Sequence, residues 1–233
     1  MPCKGCGKHK KLIKAHVIPE SFFLGLKSDG KVPLMVADAW RYTKRAPVGV
    51  YDKKILCHDC EQKFQDIDNY GQKILLKDTI EAVKRDGIVV YYKIPEVNYN
   101  LTKLFFMSVL WRASISSHVF YSKINLGKFE NIIKEYIWDR NPGTPEEFSF
   151  FLARFTDEEF GTAMLNPRSL RFDSVNYYIF YLYGYILYIK VDKRPTPENF
   201  NQLILKTDQD LFVIGRDIAK SKELKAMYEV VNN

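Results

Sequence analysis

Two cysteine pairs of one spacing, Cys3-x-x-Cys6 and Cys57-x-x-Cys60, account for all four cysteines of the chain. Two residues between cysteines let the backbone curl until both sulfurs face one ion, and two such curls supply the thiolates of a closed tetrahedral zinc site. Gly5 and Gly7 suit the tight turn of the first pair, since glycine tolerates positive φ. Spacing alone leaves two other uses open. A redox dithiol belongs in a βαβ setting, which the flanking sequence lacks, and disulfides need an oxidising compartment. No leader-like run opens the chain, so a cytoplasmic setting and a structural zinc ion (Zn2+) are expected.

The charge is concentrated near the cysteines. The chain carries +7 in all, and residues 1–61 hold twelve Lys+Arg against six Asp+Glu, which leaves +1 for the rest. Lys4, Lys8, Lys10, Lys11 and Lys14 crowd the segment that leads to His16, and Lys53 and Lys54 stand just before the second pair. A basic patch beside a zinc site suits a phosphate backbone, with DNA the expected partner and RNA the alternative. The plainer reading is a solvated lysine face.

The elements that must position these residues read as follows. Leu12 to Ile18 ends at Pro19, which forbids a simple strand continuation. Phe22, Phe23 and Leu26 share a face of a helix over Glu20–Lys27, and Ser28-Asp29-Gly30 is a turn. Residues 31–50 show no clear period and read as an irregular loop. Tyr51 to Leu56 is a short strand that runs into the second cysteine pair. From Glu61 the pattern is helical, with Phe64, Ile67, Tyr70 and Ile74 on one stripe.

Knuckle, strand, then knuckle at a helix N-terminus is the treble-clef arrangement, and residues 1–75 resemble the zinc-stabilised HNH, or ββα-metal, endonucleases. His16, in His-Val-Ile-Pro, stands where that family has the first histidine of its His-Ile-x-Pro motif. Asp52 stands where the family usually has asparagine. Glu61, directly after Cys60, stands where it has its last histidine, or asparagine in some members. A longer pattern, His16 to Pro19, Leu56 to Glu61 and then Trp111-Arg112, resembles uncharacterised HNH-like proteins.

The resemblance implies hydrolysis of phosphodiester bonds in DNA, in phage biology or in defence against phage. It makes His16 the general base, since imidazole titrates near neutrality. It makes Glu61 a ligand of a catalytic Mg2+ or other divalent metal, since hard cations prefer oxygen. Asp52 would orient the imidazole or lend a second ligand. The pattern departs from the family at Ala15, where an aspartate ligand usually precedes the histidine. Glu20, Asp52, Asp66 and Asp68 are the carboxylates that could substitute. Asp68 falls two helical turns beyond Glu61, far for joint ligation, so Asp52 is preferred. Each residue also has a purely structural use. His16 could pack beneath the knuckles, Glu61 could offset the helix dipole, and Asp52 could be a turn residue. Ala15 favours the alternative of a non-catalytic zinc module that binds nucleic acid or a protein partner.

At 233 residues, 46% hydrophobic and 15% aromatic, the chain can bury a core. The expected fold class is α+β, with a zinc-binding module over 1–75 and a mixed helical and β domain over 76–233. Lys77–Arg85 reads as helix, Ile88–Ile94 as strand, and Leu101–Ser117 as a central helix capped by Asn100. A further helix follows over Leu126–Trp138. Strands are expected over Phe148–Phe155, Thr162–Leu165, Tyr177–Tyr183, Tyr185–Val191 and Leu203–Leu205, and a last helix over Asp217–Val231. The tyrosines of 177–188 could stack on bases, but at strand spacing they read as core. The run Ser174–Ile189 is short for a spanning helix, so no membrane partner is expected. Substrate recognition, dimerisation as a homodimer and regulation are the open roles for 76–233.

Overall fold

The computed structural model describes residues 1–28, 34–36, 44–45, 48–156, 163–217, 219 and 221. Near the N-terminus, strand β1 (Ala15–His16) pairs antiparallel with β4 (Tyr51–Asp52), Ala15 opposite Asp52 and His16 opposite Tyr51. A bridge between Leu12 and Cys57 prolongs this hairpin to the second cysteine pair. Helix α1 (Ser21–Ser28) forms as expected and buries Phe22 and Phe23. The loop expected over 31–50 holds two short strands, β2 (Leu34–Val36) and β3 (Lys44–Arg45). β2 also pairs in parallel with β8 (Ala163–Leu165), a partner that no local pattern announces.

The helical stripe after Cys60 is two helices. α2 (His58–Gln62) stops short of Phe64, and α3 (Gln65–Gln72) continues as a π-helical turn over Lys73–Lys77. Asp78 is extended and ends it. The helix expected over Lys77–Arg85 is therefore absent. Glu81–Arg85 is strand β5, joined to β6 (Ile88–Ile94) by Asp86 and Gly87 at φ 51° and 78°. Asp-Gly with both φ positive is the hairpin turn whose twist suits flanking strands, and it overrides the helix propensity of Glu, Ala, Lys and Arg.

Helix α4 (Tyr99–Ile115) is buried on nearly every side. Its cap is Asn98, whose side chain accepts from the Leu101 amide at 2.9 Å, two residues before the expected Asn100. α3 and α5 (Phe129–Trp138) pack against it. Below lies a seven-stranded sheet of order β5-β6-β12-β7-β11-β10-β9, where β7 is Phe150–Phe155, β9 Arg168–Phe172, β10 Val175–Leu182, β11 Tyr185–Lys190 and β12 Leu211–Arg216. Neighbours are antiparallel except β7 and β12. The β10–β11 hairpin around Gly184 is as expected, whereas β9 and β12 are additions and Leu203–Leu205 is not a strand. A short helix α6 (Glu198–Asn201) precedes those residues. The helix expected over Asp217–Val231 lies almost wholly outside the described residues.

The chain is thus α+β with a sheet-rich C-terminal part. One apolar cluster runs from Cys3, Phe64 and Ile67 through Phe105, Leu110 and Trp111 to Phe150, Leu187 and Val213, so residues on both sides of position 75 share a core. Tyr177, Phe180, Tyr181, Tyr185 and Tyr188 are buried, which is the core reading of that tyrosine run. Among the described residues no helix is long and apolar enough to cross a membrane.

Candidate active site

Cys3, Cys6, Cys57 and Cys60 converge, with all four sulfurs within 4.8 Å of one another. Cys6 Sγ and Cys57 Sγ are 3.9 Å apart. A tetrahedron with metal–sulfur bonds of about 2.3 Å has edges of about 3.8 Å, so this spacing fits one ion and is far too long for a disulfide. All four are free thiols. The amide of Cys57 donates to Cys3 Sγ at 3.2 Å, as amides do to a thiolate. Burial alone would raise the Cys3 thiol, but amides of Cys6, Cys57 and Gly5 and the Cys57 side chain outweigh it and bring the pKa to about 7. Gly5 is obligatory by packing, because a Cβ there would stand 2.7 Å from Cys60 Sγ. The donor set and cradle could hold zinc. His9 is outside this cluster.

The sulfur cluster fixes both ends of the hairpin. Lys4 N–H donates to Ile55 C=O at 2.8 Å and Ile13 N–H to Leu56 C=O at 3.0 Å, so the two knuckles and the two strands are one unit. Cys60 on α2 then places Glu61 next along the helix, beside β1. The backbone N–H of His16 faces the Glu61 carboxylate and favours its charge.

His16 is half-buried. Its Nε2 lies 3.0 Å from the Val48 carbonyl. A carbonyl only accepts, so Nε2 carries the proton and Nδ1 keeps the lone pair. Burial pulls the imidazole pKa below 6.5, with Arg112 adding to that and Glu20, the Val48 bond and Asp68 opposing it. His16 is therefore a neutral, oriented base at pH 7.

Glu61 is held above the ordinary carboxyl pKa by burial, against the pull of Arg112. Its Oε2 is buried and has no hydrogen-bond partner among the described residues. It lines a cavity of about 380 Å³ together with His58, Gln62, Gln65, Asp68 and Asn69. Lys63 and Phe64 keep helical backbone angles between α2 and α3, so Glu61 and Asp68 stay on one face, two turns apart along the wall of that cavity. Asp68 also accepts a two-pronged bond from Arg112, at 2.8 and 2.7 Å. Burial raises the Asp68 pKa while Arg112 opposes the rise. Arg112 is thus the buried partner of an ion pair.

Asp52 is elsewhere. Cross-strand partners share a face, so Asp52 lies with Ala15 and opposite to His16 and Tyr51. Its carboxylate accepts from the Lys54 amide at 2.8 Å, from Ser117 N–H at 2.6 Å and Oγ at 2.9 Å, and from Ser116 Oγ at 3.1 Å. These bonds consume its acceptor sites, which corrects the expectation of a metal ligand or imidazole partner at this position. Of the other carboxylates, Asp66 pairs with Arg140 on the surface at 2.8 Å, and Glu20 is exposed but near enough to act on His16.

Two of the lysines flank the His16 face. Lys8, Lys10, Lys11, Lys14, Lys53 and Lys54 are all exposed. The amines of Lys14 and Lys53 lie 5.2 and 6.0 Å from the Tyr51 ring, which itself meets the His16 ring edge-on at 5.8 Å. Lys10 is paired with Asp59. No family model, curated protein or solved structure matches this chain.

Proposed function

We propose that the chain is a metal-dependent HNH-like endonuclease that hydrolyses phosphodiester bonds in DNA, built on a zinc-stabilised treble-clef module. The observation that carries this reading is the buried Oε2 of Glu61, unpartnered among the described residues and beside a solvent-reaching cavity, on a helix that meets β1 at the backbone N–H of His16. Nδ1 of His16 takes a proton from water, and the Val48 carbonyl holds the ring and favours the imidazolium that results. Glu61 would hold the divalent cation, whose charge would stabilise the scissile phosphate and the leaving oxygen. Lys14 and Lys53 flank the base and would neutralise neighbouring phosphates. The four-cysteine zinc would be structural, because a closed thiolate shell offers no position for water.

Ala15 favours a second reading, a zinc module that binds nucleic acid or a protein without cutting, since no carboxylate precedes His16. The two readings part on cleavage of supercoiled plasmid with Mg2+, Mn2+ or Ni2+, beside His16→Ala and Glu61→Ala and with zinc measured in each sample. Nicking by the native protein that disappears in both variants while zinc is retained supports the nuclease. Binding without nicking under every metal supports the second reading.

A further inference from the structure

The most heavily bonded side chain near the site comes from outside the zinc module. Arg112 on α4 has 0% side-chain exposure, yet every direction of its guanidinium is used. One nitrogen donates to the backbone carbonyl of His16 at 3.2 Å and to Asp68 at 2.8 Å. The other donates to Asp68 at 2.7 Å and to Ser108 Oγ at 3.0 Å. Nε donates to the Ser108 carbonyl at 3.3 Å, and the plane lies 4.8 Å from the Phe64 ring. The next turn of the same helix ends in Ser116 and Ser117, which hold Asp52 on the facing strand. α4 therefore grips β1 through Arg112 and β4 through Asp52.

Such a grip exceeds what stability asks for. A buried ion pair is often no better than an apolar pair of equal volume. A planar fork, however, fixes angles that an ammonium cannot. Its three anchors are His16, the carboxylate neighbouring Glu61, and Ser108 two turns into the central helix. We propose that Arg112 is the positioning residue of the site, a clamp that sets the imidazole of His16 relative to Glu61 by holding the His16 carbonyl and Asp68 in one plane. This rests on the nuclease reading above. Arg112 itself touches neither water nor phosphate in this role, since it is enclosed.

The test uses the full chain. Arg112→Met leaves Asp68 buried without a partner and could unfold the module, so Arg112→Lys, which keeps the charge but loses the fork, is made beside it. Turnover and DNA affinity are measured separately, with zinc content and melting recorded at the assay temperature. Misplacing a base by about 1 Å costs on the order of a hundredfold in rate. The expected result for Arg112→Lys is therefore a fall in kcat of about 30- to 100-fold, with KM within about twofold and zinc intact. Asp68→Asn, which weakens the same fork from its other end, should lower kcat in the same sense. Wild-type kcat in a folded Arg112→Lys protein would overturn the clamp and leave the nuclease standing. A raised KM with unchanged kcat would also overturn it, by making Arg112 a nucleic-acid contact. A native protein that never cleaves overturns the nuclease reading, and the clamp with it.

Discussion

Asp52 closes on Ser117, 65 residues further along the chain, accepting its amide at 2.6 Å and its hydroxyl at 2.9 Å. This joins the N-terminal hairpin to the end of α4. Burial would raise the Asp52 pKa, but the Lys54 amide and the donors of Ser117 and Ser116 outweigh it and hold the carboxyl below 3.8. A carboxyl with a lowered folded pKa contributes stability above its unfolded pKa and loses it as pH falls through the folded one. Asp52→Ala should cost about 2–3 kcal/mol, or on the order of 4–10 °C in melting temperature near neutral pH. The loss should shrink below pH 4. Asp52→Asn keeps an acceptor and should be mild in both melting and cleavage. Abolished cleavage in a stable Asp52→Asn protein would restore a catalytic role to this residue.

Glu61 presents the opposite balance. Its carboxylate is desolvated, and Oε2 has no partner among the described residues. A raised folded pKa means that ionised Glu61 weighs against folding at neutral pH, and that this penalty fades as pH falls through the raised value. Gln keeps a polar atom at the Oε2 position but removes the buried charge, which is worth about 1 kcal/mol or more. Glu61→Gln should therefore raise the melting temperature by roughly 2–4 °C at pH 7 while removing cleavage. Thermal scans of the two proteins without added divalent metal check this. A lower melting temperature for the variant would mean that Glu61 is a structural anchor.

What could be read from the sequence was local. The cysteine spacing, His16 in its Pro-ended segment and Glu61 after Cys60 are short-range patterns, and the structure brings all of them to one hairpin and helix. Most of what the sequence does not show requires a distant partner. Phe64, Ile67, Tyr70 and Ile74 keep helical spacing, and the short interruption at Lys63–Phe64 just before them carries no local signal. Arg112 meets Asp68 across 44 positions, and Asp52 meets Ser117 across 65. Val48 orients His16 through a backbone carbonyl, which carries no side-chain signature. The β5 strand was misread for a different reason. Its Glu, Ala, Lys and Arg favour helix, and the Asp86-Gly87 turn that decides the matter lies just past its end.

The pH dependence follows from His16. Its pKa is lowered, chiefly by burial. The base is active when neutral, so cleavage should rise with pH through a midpoint below 6.5 and be flat from pH 7 to 8. The unfolded chain takes up this proton first as pH falls, so the same shift also lowers stability on acidification. A pH–rate profile under single-turnover conditions gives the midpoint. An acid limb centred above pH 7 is incompatible with a buried imidazole acting as the base.

Zinc should be integral to the fold. Cys3, Cys57 and Cys60 are buried in the apolar cluster that continues to α4, so losing the ion opens the core itself. The native protein should contain one zinc per chain, and Cys57→Ser should lose it. Melting should then fall by on the order of 10 °C or more. Chelation should make all four thiols, the already exposed Cys6 included, reactive towards a chromogenic disulfide in step with metal release. Thiols that react freely while zinc stays bound would place the ion elsewhere.

The lysines near His16 are not equivalent, and salt separates them. Lys14 and Lys53 lean over Tyr51 on the His16 face and have no carboxylate partner among the described residues. Lys10 is already paired with Asp59. Each phosphate neutralised in duplex DNA adds about 0.9 to the slope of log affinity against log salt. With His16→Ala as a non-cleaving background, Lys14→Gln and Lys53→Gln should each flatten that slope by about 0.9 and weaken binding alike on unrelated duplexes. Lys10→Gln should change it by less, because its charge is offset by Asp59 before DNA arrives. Fluorescence anisotropy from low to moderate salt gives the three slopes. Equal, small effects at all three positions would mean that DNA does not cross the His16 face, and that the lysines there are only a solvated surface.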